Sequence, residues 1–143
     1  MSAFSWPARV YWEDTDGGAI VYYANYLRFL ERARTEWLRA QGHSQLELAR
    51  DPGILFTVVS LTVDYRAPAR LDDQLHITCE PQPEGAASLR FGQIIYREAA
   101  AAARDLVLEA SVRVACVDAR TLRPRRLPQF LLQALAVAEL SDG

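Results

Sequence analysis

The sequence contains no lysine: all 16 basic residues of the 143-residue chain are arginine. Chemistry through a lysine Schiff base is therefore excluded. The arginines are nearly balanced by 18 acidic residues, which gives a formal net charge of -2 and a pI near 5.7. This balance gives no global reason to expect a polyanionic partner, so nucleic-acid binding is not predicted.

Histidine and cysteine are scarce, with two of each. The chain has no Cys-x-x-Cys motif and no histidine pair at helical spacing, so no metal site is predicted. It also lacks a Walker loop, a Gly-x-Gly-x-x-Gly motif and a Gly-x-Ser-x-Gly elbow, and we expect no cofactor. Cys79 and Cys116 both fall on the apolar side of predicted strands, which favours buried thiols over a disulfide.

Long hydrophobic runs are absent as well. No stretch of about 18 apolar residues occurs, and the first residues lack the basic start and apolar segment of a secretion signal. We therefore expect a cytoplasmic protein with no integral membrane segment. Half of the residues are hydrophobic, so a chain of this length can bury one sizeable core, and a single domain over residues 1–143 is expected.

Hydrophobic periodicity predicts one long helix near the start of the chain. A short first strand is predicted over residues 8–13, followed by a helix from Tyr23 to Gln41 that Gly42 ends. The apolar positions of this helix are too widely spread around it to be covered by one flat contact. Other elements are therefore expected to wrap around the helix.

Four alternating segments downstream predict strands. The alternation is strict over residues 59–66 and resumes after Pro68, after Gly85 and from Leu106 to Cys116. Residues 97–105 are expected to form a hairpin connection, and a terminal helix is expected to begin at Pro128. Short turns favour an antiparallel meander. The prediction is an α+β fold in which a five-stranded antiparallel sheet wraps around one central helix.

An acidic stretch lies between the first strand and the long helix. Glu13, Asp14 and Asp16 are followed at once by two glycines and an apolar, aromatic run. A calcium loop is not predicted, because the positions that should supply further oxygen ligands hold Gly18 and Asn25. Two interpretations remain open at this point. In the first, Asp16 is a base beside the unpaired N–H groups of a helix start. In the second, the acids only form a hairpin turn before a second strand.

The run VYWEDTDGGAIVYYANYLRFLERARTE, residues 10–36, resembles the signature of hotdog-fold acyl-CoA thioesterases. The resemblance is greatest to the branch associated with the Tol-Pal system, with 4-hydroxybenzoyl-CoA thioesterase as a relative, and it extends through DYRAPARLDD and VACVD. It implies that Asp16 is catalytic and that the backbone N–H of Tyr23 contacts the thioester oxygen. The Tol-Pal branch commonly carries histidine where this chain has Tyr23.

The resemblance implies hydrolysis of a thioester to a free acid and coenzyme A, with Asp16 as general base or as nucleophile. The substrate would be an acyl-CoA or an acyl-carrier-protein thioester. The fold also implies a homo-oligomer, either dimer or tetramer. A dehydratase is disfavoured because no histidine occurs between residues 1 and 42. A non-catalytic hotdog scaffold or carrier-protein-binding module remains the alternative.

Three residues are candidates for substrate binding. Arg90 suits the phosphates of coenzyme A, as does the arginine cluster at positions 120, 123, 125 and 126. Ser60 and Thr62 occupy the polar side of a predicted strand, where they could line an acyl pocket or face solvent or a neighbouring subunit. Glu31 is expected to form an ion pair along the helix with Arg28 or Arg34.

Overall fold

The computed structural model describes residues 4–142. Within that range no helix is both long and apolar enough to span a bilayer. Short 3-10 turns occur at Trp12–Asp14, Tyr23–Asn25 and Ala100–Ala102. The regular elements, in chain order, are β1 (Phe4–Arg9), α1 (Tyr26–Ala40), α2 (Gln45–Arg50), β2 (Ile54–Tyr65), β3 (Gln74–Pro83), β4 (Ser88–Glu98), β5 (Arg104–Asp118) and α3 (Gln129–Asp142).

All five strands belong to one antiparallel sheet with the order β1-β3-β4-β5-β2. The predicted meander is confirmed for β3, β4 and β5. It is wrong for β2, which pairs with β5 at the far edge and not with β3. The connection over residues 66–73 can cross the sheet, since eight extended residues reach about 26 Å and three strand spacings need about 14 Å. The N–H groups of Arg66 and Ala67 both bond to the carbonyl of Val107, which ties this connection to the sheet.

α1 is the central helix that the sheet wraps. Its buried side chains are Tyr26, Phe29, Leu30, Ala33, Trp37 and Leu38. Burying one side chain of the size of Leu30 contributes about 1.5–3 kcal/mol, so this face is a major source of stability. The helix stops at Gly42, whose φ of +93° lies in the left-handed region that glycine adopts easily.

The first strand differs from its prediction. β1 covers Phe4–Arg9 and pairs only with β3, whereas the predicted strand covered residues 8–13. The chain turns instead at Trp12–Asp14, because the Asp14 carboxylate accepts the N–H of Tyr11 at 2.8 Å. A side-chain acceptor this close in sequence offers the backbone an alternative to the sheet ladder.

β2 is an edge strand with an exposed apolar row. Leu61 and Tyr65 lie on the helix side of the sheet, opposite Val112 and Leu108, yet both are more than two-fifths exposed. The pairing shifts between Val58 and Ser60, and this bulge leaves Val59 exposed outside the ladder. This apolar row is therefore largely exposed within one chain, because the strand has no neighbour on its outer side.

The predictions for the terminal helix, the β4–β5 connection and the two thiols agree with the structure. α3 is the predicted terminal helix, and the turn at Ala100–Ala102 joins β4 to β5 as a hairpin connection. Cys79 and Cys116 are free and buried. The predicted α+β hotdog arrangement, with a five-stranded antiparallel sheet around one long helix, is confirmed. The short helix α2 was not predicted.

Candidate active site

The acidic stretch forms a tight loop held by Asp14. The Asp14 carboxylate is buried and caps the N–H of Tyr11. Its backbone carbonyl accepts the N–H of Tyr22 at 3.1 Å and the side-chain amide of Asn25 at 2.9 Å. Asp14 therefore has a structural role, since its bonds join the loop to the helix start.

Asp16 lies on the exposed part of the same loop. Its N–H bonds to the carbonyl of Ile20 at 3.0 Å, and the neighbouring Thr15 forms an isolated bridge with Val21. Within residues 4–142 its carboxylate has no hydrogen-bond partner. The loop is a hairpin, but residues 19–23 do not form the second strand of the alternative interpretation. The carboxylate is thus free to act on a bound molecule.

Tyr23 opens the 3-10 turn that runs directly into α1. The N–H of Tyr22 is already used by Asp14, and that of Asn25 bonds to the carbonyl of Tyr22 at 2.8 Å. The N–H of Tyr23 has no acceptor among the described residues. Its carbonyl accepts the hydroxyl of Tyr65 at 3.1 Å, which fixes this peptide. An unpaired amide at the start of a helix is suited to binding a developing negative charge.

Ala69 connects the loop with the helix. Its carbonyl accepts the N–H of Val21 at 2.9 Å, and its own N–H donates to the phenolic oxygen of Tyr26 at 2.9 Å. Burial raises the pKa of Tyr26, so its hydroxyl stays neutral at physiological pH. The loop that carries Asp16 and the helix that begins at Tyr26 are therefore held against one buried residue.

A cavity of about 120 Å³ lies between the middle of α1 and the sheet. Trp37 and Phe91 meet edge to face within it, with ring centroids 5.9 Å apart. The lining is apolar except for the side chains of Glu31, Arg34, Thr35 and Gln45. The lining residues are Glu31, Arg34, Thr35, Trp37, Leu38, Gln45, Phe56, Val58, Leu89, Phe91, Val114 and Leu131.

Arg34 is the cation of this cavity. Its Nη1 donates to Oε1 of Gln93 at 3.0 Å, and burial lowers the pKa of its guanidinium. Gln93 is only 1% exposed, and its Nε2 donates to the carbonyl of Leu30 at 3.0 Å. Among the described residues no carboxylate lies within 4.0 Å of Arg34. The described part of the chain shows no ion pair of Glu31 with either Arg28 or Arg34, so that prediction is wrong there. Glu31 accepts the hydroxyl of Thr35 instead.

Ser60, Thr62 and Arg90 lie together on the other face of the sheet. Ser60 is opposite Arg113 and Thr62 is opposite Ser111, on the side that faces away from α1. Arg90 donates to the hydroxyl of Ser111 at 2.8 Å, and it pairs with Glu84. Within one chain the structure does not bring these three residues to Asp16 and Tyr23. Their role as substrate contacts stays a prediction.

Other candidate sites are limited. In the arginine cluster at positions 120, 123, 125 and 126, Arg125 donates to the carbonyls of Pro52 and Gly53 at 3.0 Å. The other three side chains are exposed. No group of three or more His, Cys, Asp or Glu side chains within residues 4–142 is placed to hold a metal ion. Carboxylate chemistry at Asp16 is therefore what this arrangement offers most directly.

Known proteins are similar to this chain in sequence and in fold. Residues 10–135 match the family model of the thioesterase-like superfamily. The chain is 46% identical to the Escherichia coli acyl-CoA thioester hydrolase YbgC over 129 residues, which cover 90% of this chain and 92% of the relative. It is 40% identical to the Haemophilus influenzae acyl-CoA thioesterase YbgC over 128 residues, 90% of each chain.

A solved structure supports the fold. The 4-hydroxybenzoyl CoA thioesterase of a Pseudomonas species superimposes with a TM-score of 0.84 at 22% identity, covering 93% of this chain and 99% of its own. At this level of identity the likeness concerns the architecture alone. This chain therefore has the same fold as that enzyme.

Proposed function

Because the chain belongs to the thioesterase-like superfamily, we propose that it hydrolyses acyl-CoA thioesters to a free acid and coenzyme A. The predicted thioester hydrolase is supported by relatives that are 40–46% identical and are named as acyl-CoA hydrolases. One observation carries the assignment to the site: the free Asp16 carboxylate and the unpaired N–H of Tyr23 belong to the same loop-helix unit. An acyl-carrier-protein thioester is the alternative substrate.

The amide of Tyr23 is the proposed oxyanion donor. It polarises the thioester carbonyl and stabilises the negative charge that develops on its oxygen, and one such donor is worth about 10²–10³ in rate. Because the contact comes from the main chain, tyrosine in place of the histidine of the Tol-Pal branch does not remove it. The side chain, which is 62% exposed, affects the fit of the acyl group instead.

Asp16 completes the reaction by one of two routes. As a general base it takes a proton from water, the hydroxide oxygen bonds to the acyl carbon, and the carbon–sulfur bond breaks to release the thiolate. As a nucleophile its oxygen bonds to the acyl carbon first, and water then hydrolyses the resulting anhydride. In both routes the thiolate finally takes up a proton, so one water is consumed for each thioester.

The cavity beside α1 is the proposed acyl pocket. Its volume of about 120 Å³ is close to that of a cavity known to admit benzene, roughly 150 Å³. A single-ring or short aliphatic acyl group is therefore within the size that this cavity can hold. Arg34 adds a fixed hydrogen-bond donor to a wall whose other polar side chains are Glu31, Thr35 and Gln45. Arg90 stays a candidate for contacts with the coenzyme A portion, and Ser60 and Thr62 stay candidates for contacts with the acyl group.

We also propose a homo-oligomer whose interface includes β2. The exposed row of Val58, Val59, Leu61 and Tyr65 follows an unpaired strand edge, and an apolar edge of this length is normally covered. A dimer is the smallest assembly that covers it, and a tetramer is the larger form that the fold resemblance implies. A cytoplasmic location accords with a coenzyme A substrate.

The test is release of free coenzyme A from short, long and aromatic acyl-CoA thioesters. We expect Asp16→Asn to lower kcat by about 10²–10⁴, the usual contribution of a positioned acid or base. Glu13→Gln, an exposed acid of the same loop, is the matched control and should leave kcat unchanged. Full turnover by folded Asp16→Asn would reject the assignment of Asp16, whereas no turnover of any of these thioesters by the wild type would favour the non-catalytic scaffold.

The two routes are separated by a single turnover in water labelled with heavy oxygen. Direct attack leaves label in the Asp16 carboxylate when water hydrolyses the anhydride at the carbonyl carbon of Asp16, because that carbon then takes up the oxygen of the water. Hydrolysis at the acyl carbon labels only the released acid, so label in Asp16 is the result that identifies direct attack. General-base action leaves all of the label in the released acid. Mass spectrometry of the peptide that contains Asp16 gives the answer.

A further inference from the structure

The most exposed tryptophan of the chain packs against a glycine of the loop that carries Asp16, which we call the catalytic loop. Trp12 is 65% exposed, so burial in the core does not explain its position. A Cβ added to Gly18 would lie 2.3, 2.5 and 3.0 Å from three carbons of the Trp12 ring. The ring therefore rests directly on the Gly18 backbone, and any larger residue would displace it. Gly18 also has a φ of +93°, which favours glycine.

Thr15 links the same two residues by hydrogen bonds. Its hydroxyl donates to the carbonyl of Trp12 at 2.7 Å and accepts the N–H of Gly18 at 2.7 Å. Its own N–H also donates to the Trp12 carbonyl, at 3.0 Å. The donor and an acceptor of the Thr15 hydroxyl are thus both used within the loop. Trp12, Thr15 and Gly18 together form a closed unit, which we call the loop clamp.

Asp16 lies inside this clamp. Its carboxylate makes no hydrogen bond with the described part of the chain, so its position depends on the backbone that carries it. That backbone is fixed on one side by Thr15 and on the other by Gly18, with the Asp16 N–H bonded to Ile20. A reacting group must be held to within a fraction of an ångström of its productive position. The loop clamp supplies this order without touching the carboxylate.

We propose that Trp12, Thr15 and Gly18 are positioning residues that hold the Asp16 carboxylate at the proposed active site. The proposal rests on the proposed function, because it assigns these residues to a catalytic Asp16. Trp12 and Gly18 form one steric contact, and Thr15 forms the polar one. The effect of a substitution at any of the three residues therefore passes through the loop backbone to Asp16.

The first test measures kcat and KM of Trp12→Ala with an acyl-CoA thioester. We expect kcat to fall by about tenfold to hundredfold, the loss that misplacing a reacting group causes. KM and the melting temperature should change little, because the ring is mostly exposed. Trp12→Phe, which keeps an aromatic ring over Gly18, should restore most of kcat. A rise of KM with an unchanged kcat would instead show that Trp12 contacts substrate, and it would overturn the proposal.

The second test uses a matched pair of glycines. Gly18 and Gly42 share a φ of +93°, but a Cβ at Gly42 would meet nothing within 4 Å. Gly42→Ala therefore carries the same backbone strain without the clash, and it should retain wild-type kcat. Gly18→Ala should lower kcat strongly. In the double variant Trp12→Ala with Gly18→Ala the clash is gone, so the two losses should not add. Additive losses would overturn the contact.

A third measurement does not depend on turnover. Amide hydrogen exchange at Gly18 should accelerate at least tenfold in Thr15→Val and in Trp12→Ala, because the acceptor or its support is lost. Unchanged exchange would overturn the clamp. Asp16→Asn, measured in parallel, distinguishes the two proposals. If it retained full turnover, the catalytic role of Asp16 would fail, while accelerated exchange at Gly18 in Thr15→Val and Trp12→Ala would still establish the clamp as an ordering device of the loop.

Discussion

Arg34 of the central helix donates a 3.0 Å hydrogen bond to Gln93, a residue buried in the middle of the sheet. Gln93 in turn donates to the carbonyl of Leu30, one helical turn before Arg34. One amide side chain therefore bonds to α1 at two points. It holds the guanidinium in the wall of the proposed acyl pocket, where most of the other lining side chains are apolar.

Replacing Gln93 by leucine should destabilise the protein by about 1–3 kcal/mol, since a buried donor and acceptor lose their partners. The size of leucine keeps the core filled, so the loss reports on polar contacts. Chemical denaturation gives the free energy of unfolding. Gln82→Leu, an exposed glutamine on β3, is the matched control and should change it by less than about 0.5 kcal/mol. Equal stability of the two variants would contradict the role of Gln93.

Tyr65→Phe should reduce turnover more than stability. The Tyr65 hydroxyl bonds to the carbonyl of Tyr23, the residue whose N–H is the proposed oxyanion donor. Losing one such bond is worth about 0.5–1.5 kcal/mol, which corresponds to a twofold to tenfold fall in kcat. Steady-state kinetics measures it. Tyr96→Phe, whose hydroxyl has no partner among residues 4–142, should retain wild-type kcat.

Tyr26→Phe should destabilise the protein by about 1–3 kcal/mol, because the buried N–H of Ala69 loses its acceptor. The difference should depend on pH. The folded-state pKa of Tyr26 is raised, chiefly by burial, above the ordinary value of 10.0. Its stabilising contribution is therefore complete below pH 10 and is lost as the pH rises through the folded-state pKa. Unfolding measured at neutral and at alkaline pH should show the gap between wild type and variant narrowing. A constant gap would contradict the assignment.

Asp118 should stabilise the turn after β5 only when it is ionised. The N–H groups of Thr121 and Arg120 both donate to its carboxylate at 2.9 Å, and these bonds lower its pKa below the ordinary value of 3.8. This contribution is present above pH 3.8 and is lost as the pH falls through the folded-state pKa. The melting temperatures of wild type and Asp118→Asn should therefore differ at neutral pH and converge in acid. A difference that stayed constant from neutral to acid pH would contradict this role of Asp118.

The sequence predicted the elements whose signal is local. Periodicity and the stop at Gly42 located α1, and alternation located β3, β4 and β5. Alternation says which side of a strand is apolar, but not which strand lies beside it. The edge position of β2 and its exposed row therefore required the structure. β1 was misplaced because the contact between Asp14 and Tyr11 depends on a turn that propensity does not reveal.

The site was predictable where a motif marks it. Asp16 and Tyr23 were identified from the acidic loop and its resemblance, and their roles stay predictions that the proposed kinetics will test. Gln93 did leave a signal, a polar residue among the apolar positions of β4, which points to a buried hydrogen-bond network. The contact of Trp12 with Gly18 left none, because it depends on the φ of one glycine and the direction of one ring.

The two buried thiols report on opening of the core through the rate at which an alkylating reagent modifies them. Cys79 and Cys116 are both free and closed to solvent, and burial raises the pKa of each thiol, so neither is the reactive thiolate in the folded chain. An alkylating reagent can modify them only when the core between α1 and the sheet opens. Their modification rate therefore counts opening events. It distinguishes a variant that loosens the core from one that alters only the catalytic loop.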